Sequence, residues 1–168
     1  REFTDQEIAP RAADYDESGE FPWDNVRGMA QLGLFGLTIE DQYGGSGGTT
    51  RQLAIVNEEI ARGCAATSVI YIAHLSLCAH LIHTFGTEAQ KQKFIPPLAR
   101  AEKIGAFALT EPGGGSDAGA LKTTATRTNG HYVLNGSKLF ITNAVEADVF
   151  LVLASQDLSL GTRGINAL

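Results

Sequence analysis

The segment Phe107–Asp117, which reads FALTEPGGGSD, decides the interpretation of the chain. An apolar, strand-like run leads into Thr110, and three consecutive glycines follow Pro112. Backbone without Cβ atoms lets several N–H groups approach one anion, so a loop of this kind can hold a phosphate. A second strand-like run, Leu139–Ala144 (LFITNA), contains a hydroxyl at Thr142. Two hydroxyl-bearing strand ends beside a glycine loop predict a site for a large flat ligand with a diphosphate tail. The alternative is a plain glycine-rich turn between strands.

The composition is typical of a globular protein. The 168 residues are 43% hydrophobic and 19% charged, and 13 Lys and Arg against 19 Asp and Glu give a formal net charge of −6. No block of basic residues is present, which argues against nucleic acid or an anionic membrane surface as the partner. Cys64 and Cys78 lie in apolar sequence, and we expect buried free thiols in a reducing compartment rather than a disulfide.

One apolar segment is long enough to cross a bilayer. Residues 63–87 contain no Asp, Glu, Lys or Arg, but they include His74, His80 and His83 and several Ser and Thr residues. Polar groups are costly in hydrocarbon. We therefore expect a buried core helix from Ala66 to about Phe85, with no membrane insertion.

About five helices are predicted in the first hundred residues. Capping boxes, in which a hydroxyl caps a helix that carries Glu or Gln three residues later, are predicted at Thr4–Glu7 and Thr87–Gln90. Pro22 favours the start of a second helix at Trp23, and residues 49–52 start a third.

The hydrophobic pattern changes near Ile104. Strand-like runs follow at residues 104–109, 123–128, 131–134, 138–142 and 148–154, and Asn-Gly pairs at 129–130 and 135–136 predict tight hairpins. The fold class is therefore predicted as α+β. An all-α helical domain (residues 1–103) precedes an incomplete antiparallel β-barrel domain (residues 104–168), and we expect the natural chain to continue because a half-built sheet exposes an edge.

Three other interpretations have less support. Gly113, Gly115 and Ala118 fit a dinucleotide fingerprint, but no βαβ unit surrounds them, so a Rossmann site is not favoured. His80 and His83 are one helical turn apart without a carboxylate at ligand spacing, so we expect core or pocket histidines and no metal. Glu111 is a candidate catalytic base, and a positioning role is an equal alternative.

The chain resembles the N-terminal and early middle domains of the acyl-CoA dehydrogenase family. Residues 107–117 are similar to the family's aromatic-x-x-Thr/Ser-Glu-Pro-x-x-Gly-Ser-Asp signature, and residues 139–143 are similar to its second flavin motif. Residues 42–45 (QYGG), 57–62 (NEEIAR) and 85–91 (FGTEAQK) add to the resemblance.

The resemblance implies an FAD enzyme that converts a short- or branched-chain acyl-CoA to the trans-2-enoyl-CoA. It implies cofactor contacts from Phe107, Leu109, Thr110, Gly115, Ser116, Phe140, Ile141 and Thr142. Ser116 is also expected to contact the acyl-CoA, and residues 68–82 are expected to border the acyl pocket. Many relatives carry Trp in place of Phe140, which keeps the flat contact but lacks the indole donor.

The resemblance places the catalytic base, a Glu, in a C-terminal helical domain, so no catalytic residue is assigned here and this segment alone is expected to be inactive. It implies an electron-transfer flavoprotein as the electron acceptor, a homotetramer when full length, and the bacterial cytoplasm or the mitochondrial matrix as location. Two alternatives stay open: an oxidase or flavin monooxygenase on the same scaffold, or a non-catalytic subunit that binds CoA or flavin.

Overall fold

The computed structural model describes all of residues 1–168, as a helical region followed by a five-stranded sheet. A π-helical turn (Thr4–Ile8) and a 3₁₀ turn (Ala9–Arg11) precede the first α-helix. The α-helices are α1 (Ala12–Ser18), α2 (Trp23–Gln31), α3 (Thr50–Gly63), α4 (Ala65–Ile72), α5 (His80–Phe85) and α6 (Glu88–Ala99). The strands are β1 (Gly105–Ala108), β2 (Thr124–Thr128), β3 (His131–Asn135), β4 (Val149–Ser155) and β5 (Ile165–Ala167).

Two helix starts follow the local chemistry of the sequence closely. Thr87 caps α6 in a full capping box with Gln90, as predicted, and Thr49 caps α3 in the same way with Gln52. The capping box predicted at Thr4 is wrong. The chain is already helical before Thr4, and the Thr4 methyl packs against Gly63, where an added Cβ would lie 2.5 Å from Thr4 Cγ2.

The apolar segment forms one continuous helix, Ala65–Phe85, in which a π-helical turn (Ala73–Ala79) joins α4 to α5. By length and composition this helix could cross a membrane, with a mean hydropathy of 1.6. It lies instead at the centre of the hydrophobic core, where Tyr71, His74 and Leu75 have no exposed surface. The expected core helix is therefore confirmed.

The sheet has the order β1-β4-β2-β3, and β5 pairs with β4. The α+β class is confirmed, but the sheet is mixed rather than antiparallel as expected. β1 runs parallel to β4, and β2 meets β4 in parallel through Thr124 and Ser155. The physical reason lies in the connections. The tight Asn129-Gly130 turn forces β2 and β3 to be antiparallel, whereas 40 residues separate β1 from β4 and let the chain return in the same direction.

The strand predicted at residues 138–142 is absent. Phe140 has a φ of +55° and Asn143 a φ of +70°, and both values lie outside the extended region that a strand requires. The segment is an irregular loop that leads into β4.

The sheet and the helices share one core. Ile104, Val149 and Leu151 belong to the same buried cluster as the core helix. Gly105 approaches the helix so closely that an added Cβ would lie 2.8 Å from Cys78 Sγ. Both cysteines are free and buried, as expected, and burial raises the pKa of Cys78 to about 11. The domain boundary at residues 103/104 stays a prediction.

Candidate functional site

The two sequence motifs lie side by side at the end of β1. The N–H of Leu139 donates to the carbonyl of Thr110 over 2.9 Å. Lys138 Nζ donates to the carbonyl of Leu109, also over 2.9 Å. These two bonds hold residues 138–142 against the residues that follow β1, so hydroxyl-bearing segments far apart in sequence are neighbours.

The glycine loop folds back on itself immediately after Thr110. Glu111 and Gly114 exchange backbone hydrogen bonds of 3.0 and 3.1 Å, which close a tight turn over Pro112 and Gly113. Gly115 then packs against Thr110, where an added Cβ would lie 3.1 Å from Thr110 Cγ2. Nothing lies within 4 Å of a Cβ placed on Gly113. A side chain would therefore crowd Thr110 at Gly115, whereas Gly113 leaves free space for one.

Several backbone donors at this place have no acceptor in the protein. The backbone–backbone hydrogen bonds include none donated by the amides of Thr110, Gly115 or Ser116, nor by those of Phe140 and Thr142. Unpaired N–H groups in a glycine loop suit a phosphate, and those after β1 and in the adjoining loop suit the polar edge of a flat heteroaromatic ring. The residues present thus fit a flavin nucleotide.

Phe140 stands out from the surface of this loop. Its side chain is 91% exposed, and its left-handed backbone costs about 1 to 2 kcal/mol for a residue with a Cβ. Strained residues of this kind cluster at functional sites, where the surrounding structure holds them in place. The exposed ring is available to pack against a flat ligand.

Behind Phe140, Asn143 ties the loop to the core. Its side chain is 8% exposed, and Nδ2 donates to the carbonyls of Gly105 (3.0 Å) and Ile70 (3.1 Å). His74 Nδ1 accepts from the Gly105 N–H over 3.0 Å, so Nε2 carries the proton and donates to the carbonyl of Leu98. Burial lowers the pKa of His74 to about 4, although the bond to Leu98 opposes the shift. The imidazole is therefore neutral at pH 7.

Glu111 begins the turn of the glycine loop, and both of its carboxylate oxygens accept hydrogen bonds. Oε1 accepts from Lys138 Nζ (2.8 Å) and from the amide of Thr123 (2.9 Å), while Oε2 accepts from the amide of Lys122 (2.6 Å). Burial acts to raise the pKa of Glu111, but these hydrogen bonds outweigh it and lower the pKa to about 2. A carboxylate of such low basicity is a poor proton acceptor at neutral pH, so the positioning role is favoured over catalysis.

The family follows from sequence comparison. Residues 1–102 match the acyl-CoA dehydrogenase N-terminal domain, and residues 106–168 match the acyl-CoA dehydrogenase middle domain. The chain belongs to the acyl-CoA dehydrogenase family. The predicted resemblance is therefore confirmed.

Relatives of known function are similar along the whole chain. It is 50% identical over 167 residues to the short-chain specific acyl-CoA dehydrogenase of Clostridium acetobutylicum, with 99% of this chain and 44% of that protein covered. It is 45% identical to the human mitochondrial short-chain specific enzyme, with 99% and 40% covered. The solved structure of butyryl-CoA dehydrogenase from Megasphaera elsdenii superposes with a TM-score of 0.93 at 41% identity, covering 99% of this chain and 44% of that one. The chain thus spans less than half the length of these acyl-CoA dehydrogenases.

The predicted cofactor residues of this acyl-CoA dehydrogenase chain do not all face one space. Thr110 and Gly115 are in contact, and Leu139 holds the second segment beside them. Ile141 instead lines a separate concavity of about 790 Å³ between α1, the α3–α4 junction and residues 141–146. The other seven predicted cofactor residues do not line this concavity. Its lining residues come from α1 and the segment after it, from the α3–α4 junction with Ile70, and from residues 141 and 143–146.

The remaining predicted residues differ in exposure. Phe107 on β1 is half-buried, as are Leu109, Thr110, Gly115, Ile141 and Thr142, whereas Ser116 and Phe140 are exposed. Sequence reasoning missed Lys138, His74 and Asn143 as parts of the framework. A lysine two residues before a motif, and a histidine inside an uncharged helix, were the available signals.

Proposed function

We propose that the protein containing this chain is an FAD-dependent acyl-CoA dehydrogenase. Its reaction would remove two hydrogens from a short- or branched-chain acyl-CoA and give the trans-2-enoyl-CoA. The observation that carries the proposal is the 2.9 Å hydrogen bond from Leu139 to Thr110, because it joins the two motifs into one donor-rich surface. Similarity to short-chain specific relatives supports the choice of substrate.

The cofactor would lie across the joined segments. Members of this family depend on FAD. Phe107, Leu109 and Thr110 would line the isoalloxazine, and Phe140 with Ile141 and Thr142 would complete the contact from the second segment. The free amides of Gly115 and Ser116 would meet the diphosphate, and Ser116 would also reach the neighbouring acyl-CoA.

Bound FAD supplies an acceptor for the hydride that leaves the substrate β-carbon. This chain would hold hydrogen-bond donors in position before negative charge develops on the flavin ring. The hydroxyls of Thr110 and Thr142 would hydrogen-bond to the ring edge, with Thr142 at N5, and fixed donors stabilise developing charge without reorganising. Residues 68–82 of the core helix would border the acyl chain.

The α-proton of the substrate requires a base. Glu111 is unsuited because Lys138 and two amides occupy its oxygens. We propose that the base is a glutamate in the part of the protein beyond this chain, and that this segment alone is inactive.

The remaining proposals follow from the family resemblance. The partners would be acyl-CoA as substrate and an electron-transfer flavoprotein as acceptor, with a homotetramer as the full-length assembly. The human relative is mitochondrial and the clostridial one is bacterial, which supports the mitochondrial matrix or the bacterial cytoplasm as location.

The test uses the longest open reading frame that contains this sequence. The purified protein is expected to be yellow and to release FAD on denaturation. Under anaerobic conditions, short- and branched-chain acyl-CoAs are added in turn, and visible flavin absorbance is followed. We expect bleaching with at least one of them and formation of the enoyl-CoA.

Each outcome decides between the alternatives. Absence of bleaching with every acyl-CoA would contradict the dehydrogenase proposal and favour a non-catalytic subunit. Bleaching followed by rapid reoxidation in air would favour an oxidase or monooxygenase. Slow reoxidation in air, with fast reoxidation by an electron-transfer flavoprotein, would support the proposal.

A further inference from the structure

A buried ion pair joins the two segments of the proposed flavin surface. Lys138 Nζ is 2.8 Å from Glu111 Oε1, and the two side chains are only 12% and 7% exposed. The other ion pairs of the chain involve at least one side chain that is 40% exposed or more. This pair is therefore the one that water screens least.

The pair joins three separate pieces of chain. Glu111 follows the end of β1 and accepts from the amides of Lys122 and Thr123 at the approach to β2. Lys138 belongs to the loop before β4, and its ammonium also donates to the carbonyl of Leu109 over 2.9 Å. Removal of either charge would loosen the contact between the two motif segments.

Stability alone is a weak reason for such a pair. Burying two charges costs desolvation energy, and replacing a buried pair by apolar side chains of similar volume is often neutral for stability. The position of the pair suggests another reason. Lys138 Nζ donates to the carbonyl of Leu109, a proposed ring-lining residue, and to Glu111 Oε1, so both charges lie close to the ring that the proposed site would hold.

We infer that Glu111 and Lys138 are a positioning pair, which sets the two flavin-facing segments against each other and keeps the charge beneath the flavin neutral. The inference rests on the proposed function. A flavin gains negative charge on reduction, so an unpaired ammonium beneath it favours the reduced form and an unpaired carboxylate opposes it. Removing only the carboxylate and removing only the ammonium therefore change the midpoint potential of the bound flavin in opposite directions.

The experiment compares three variants of the longest open reading frame that contains this sequence: Glu111→Gln, Lys138→Met and the double substitution. Anaerobic titration gives the midpoint potential of bound FAD, and equilibrium dialysis gives its dissociation constant. We expect Glu111→Gln to raise the potential, Lys138→Met to lower it, and the double variant to lie close to wild type. Each single variant should weaken FAD binding about tenfold, the effect of losing about 1.4 kcal/mol.

The exposed pair Arg100–Glu102 provides the control, since its side chains are 51% and 57% exposed. Glu102→Gln should change neither quantity. Shifts of the same sign in both single variants, or no shift in either, would overturn the inference and leave the pair with a purely structural role. If one single variant fails to fold, the other single variant is compared with the double variant. The inference is overturned if the double variant shows the same full shift in midpoint potential as that single variant.

Failure of the proposed function gives a different result. Wild-type protein that takes up no flavin would overturn that function, and this inference with it. Wild-type protein that binds FAD, with variants that show no opposite shifts, would overturn only the inference.

Discussion

Asn143 and His74 both bind the backbone of Gly105, one at each of its two flanking peptide groups. Asn143 Nδ2 donates to the carbonyl of Gly105, and His74 Nδ1 accepts from its N–H, each over 3.0 Å. Gly105 opens β1, which leads to the proposed flavin surface. The loop that carries Phe140 is thereby fixed relative to the core helix.

The first prediction concerns Asn143. Asn143→Ala removes donors from two buried carbonyls, Gly105 and Ile70, and places alanine in the left-handed region. We expect a loss of about 2 to 3 kcal/mol in the free energy of unfolding, measured by urea denaturation of the longest open reading frame containing the chain.

Asn129 provides the matched control. It also has a positive φ, +50°, but it lies exposed in the β2–β3 turn. Asn129→Ala should cost about 1 kcal/mol, the backbone part alone. Equal losses for the two variants would show that the Asn143 side-chain bonds contribute nothing.

The second prediction concerns the pH dependence of stability through His74. Its pKa is about 4 in the folded protein, against an ordinary value of 6.5. Between these values the unfolded chain binds a proton that the folded protein does not. Stability should therefore be full above pH 6.5 and fall as the pH drops toward 4, by at most about 1.4 kcal/mol per pH unit.

Thermal unfolding of wild type and His74→Gln at several pH values measures this effect. The variant should be less stable at pH 7.5 but should lose less stability on acidification to pH 4.5. Asn129→Ala, in the exposed turn after β2, removes no titratable group and should leave the slope unchanged. The contribution of Glu111 to the free energy of unfolding is lost at lower pH, between its ordinary pKa of 4.5 and its pKa of about 2 in the folded protein. Parallel curves for wild type and His74→Gln would exclude His74 as the source.

The third prediction separates two glycines of the loop. Gly115→Ala places a Cβ 3.1 Å from Thr110 Cγ2 and 3.3 Å from Thr110 Oγ1, so the hydroxyl must move. We expect FAD to bind about three- to tenfold more weakly, the effect of losing one hydrogen bond. Gly113→Ala meets nothing within 4 Å and should bind FAD like wild type.

A second substitution tests whether contact with Thr110 causes the loss of FAD affinity in Gly115→Ala. Thr110→Ser removes the methyl group but keeps the hydroxyl, so it should restore part of the FAD affinity lost in Gly115→Ala. Equal FAD affinity of the two glycine variants would contradict the packing argument.

The fourth prediction concerns the thiols. Cys64 and Cys78 are buried, and a pKa of about 11 leaves little thiolate on Cys78 at pH 8. Iodoacetamide should label neither residue in the native protein and both in urea, as measured by peptide mass mapping. Labelling of Cys78 in the native protein at the rate of an unfolded thiol would show that the core opens around it.

Local signals predicted much of the fold because the relevant physics is local. The Thr87 capping box and the Asn129-Gly130 turn depend on residues within four positions of one another. The Thr4 prediction failed because packing against Gly63, far away in sequence, decided the conformation. Likewise, nothing near β1 indicates that it pairs in parallel with β4, since that pairing joins residues more than 40 positions apart.

The site was predicted in outline and not in its framework. Residues 139–143 begin with an apolar run that is typical of a strand, yet Phe140 and Asn143 adopt positive φ values. The position of Asn143 is fixed by hydrogen bonds to the carbonyls of Ile70 and Gly105. Both residues are far away in sequence, so the local pattern does not indicate these contacts. The residues proposed to face the ring come from the family resemblance and stay a prediction, whereas the pair Glu111–Lys138 becomes visible only when three segments meet.

The π-helical turn of the core helix has a consequence for insertions and deletions. A π turn closes its hydrogen bonds one residue later than an α-helix does, so residues 73–79 hold one surplus position. Deleting a single residue there would allow a regular helix and would leave the downstream part close to its present face, because the wider turn absorbs the surplus position. The same deletion elsewhere in the core helix would rotate everything downstream by about 100°. A deletion upstream of the turn would therefore turn Cys78 away from Gly105, and we expect single-residue gaps in alignments of stable homologues to fall within this turn rather than elsewhere in the core helix.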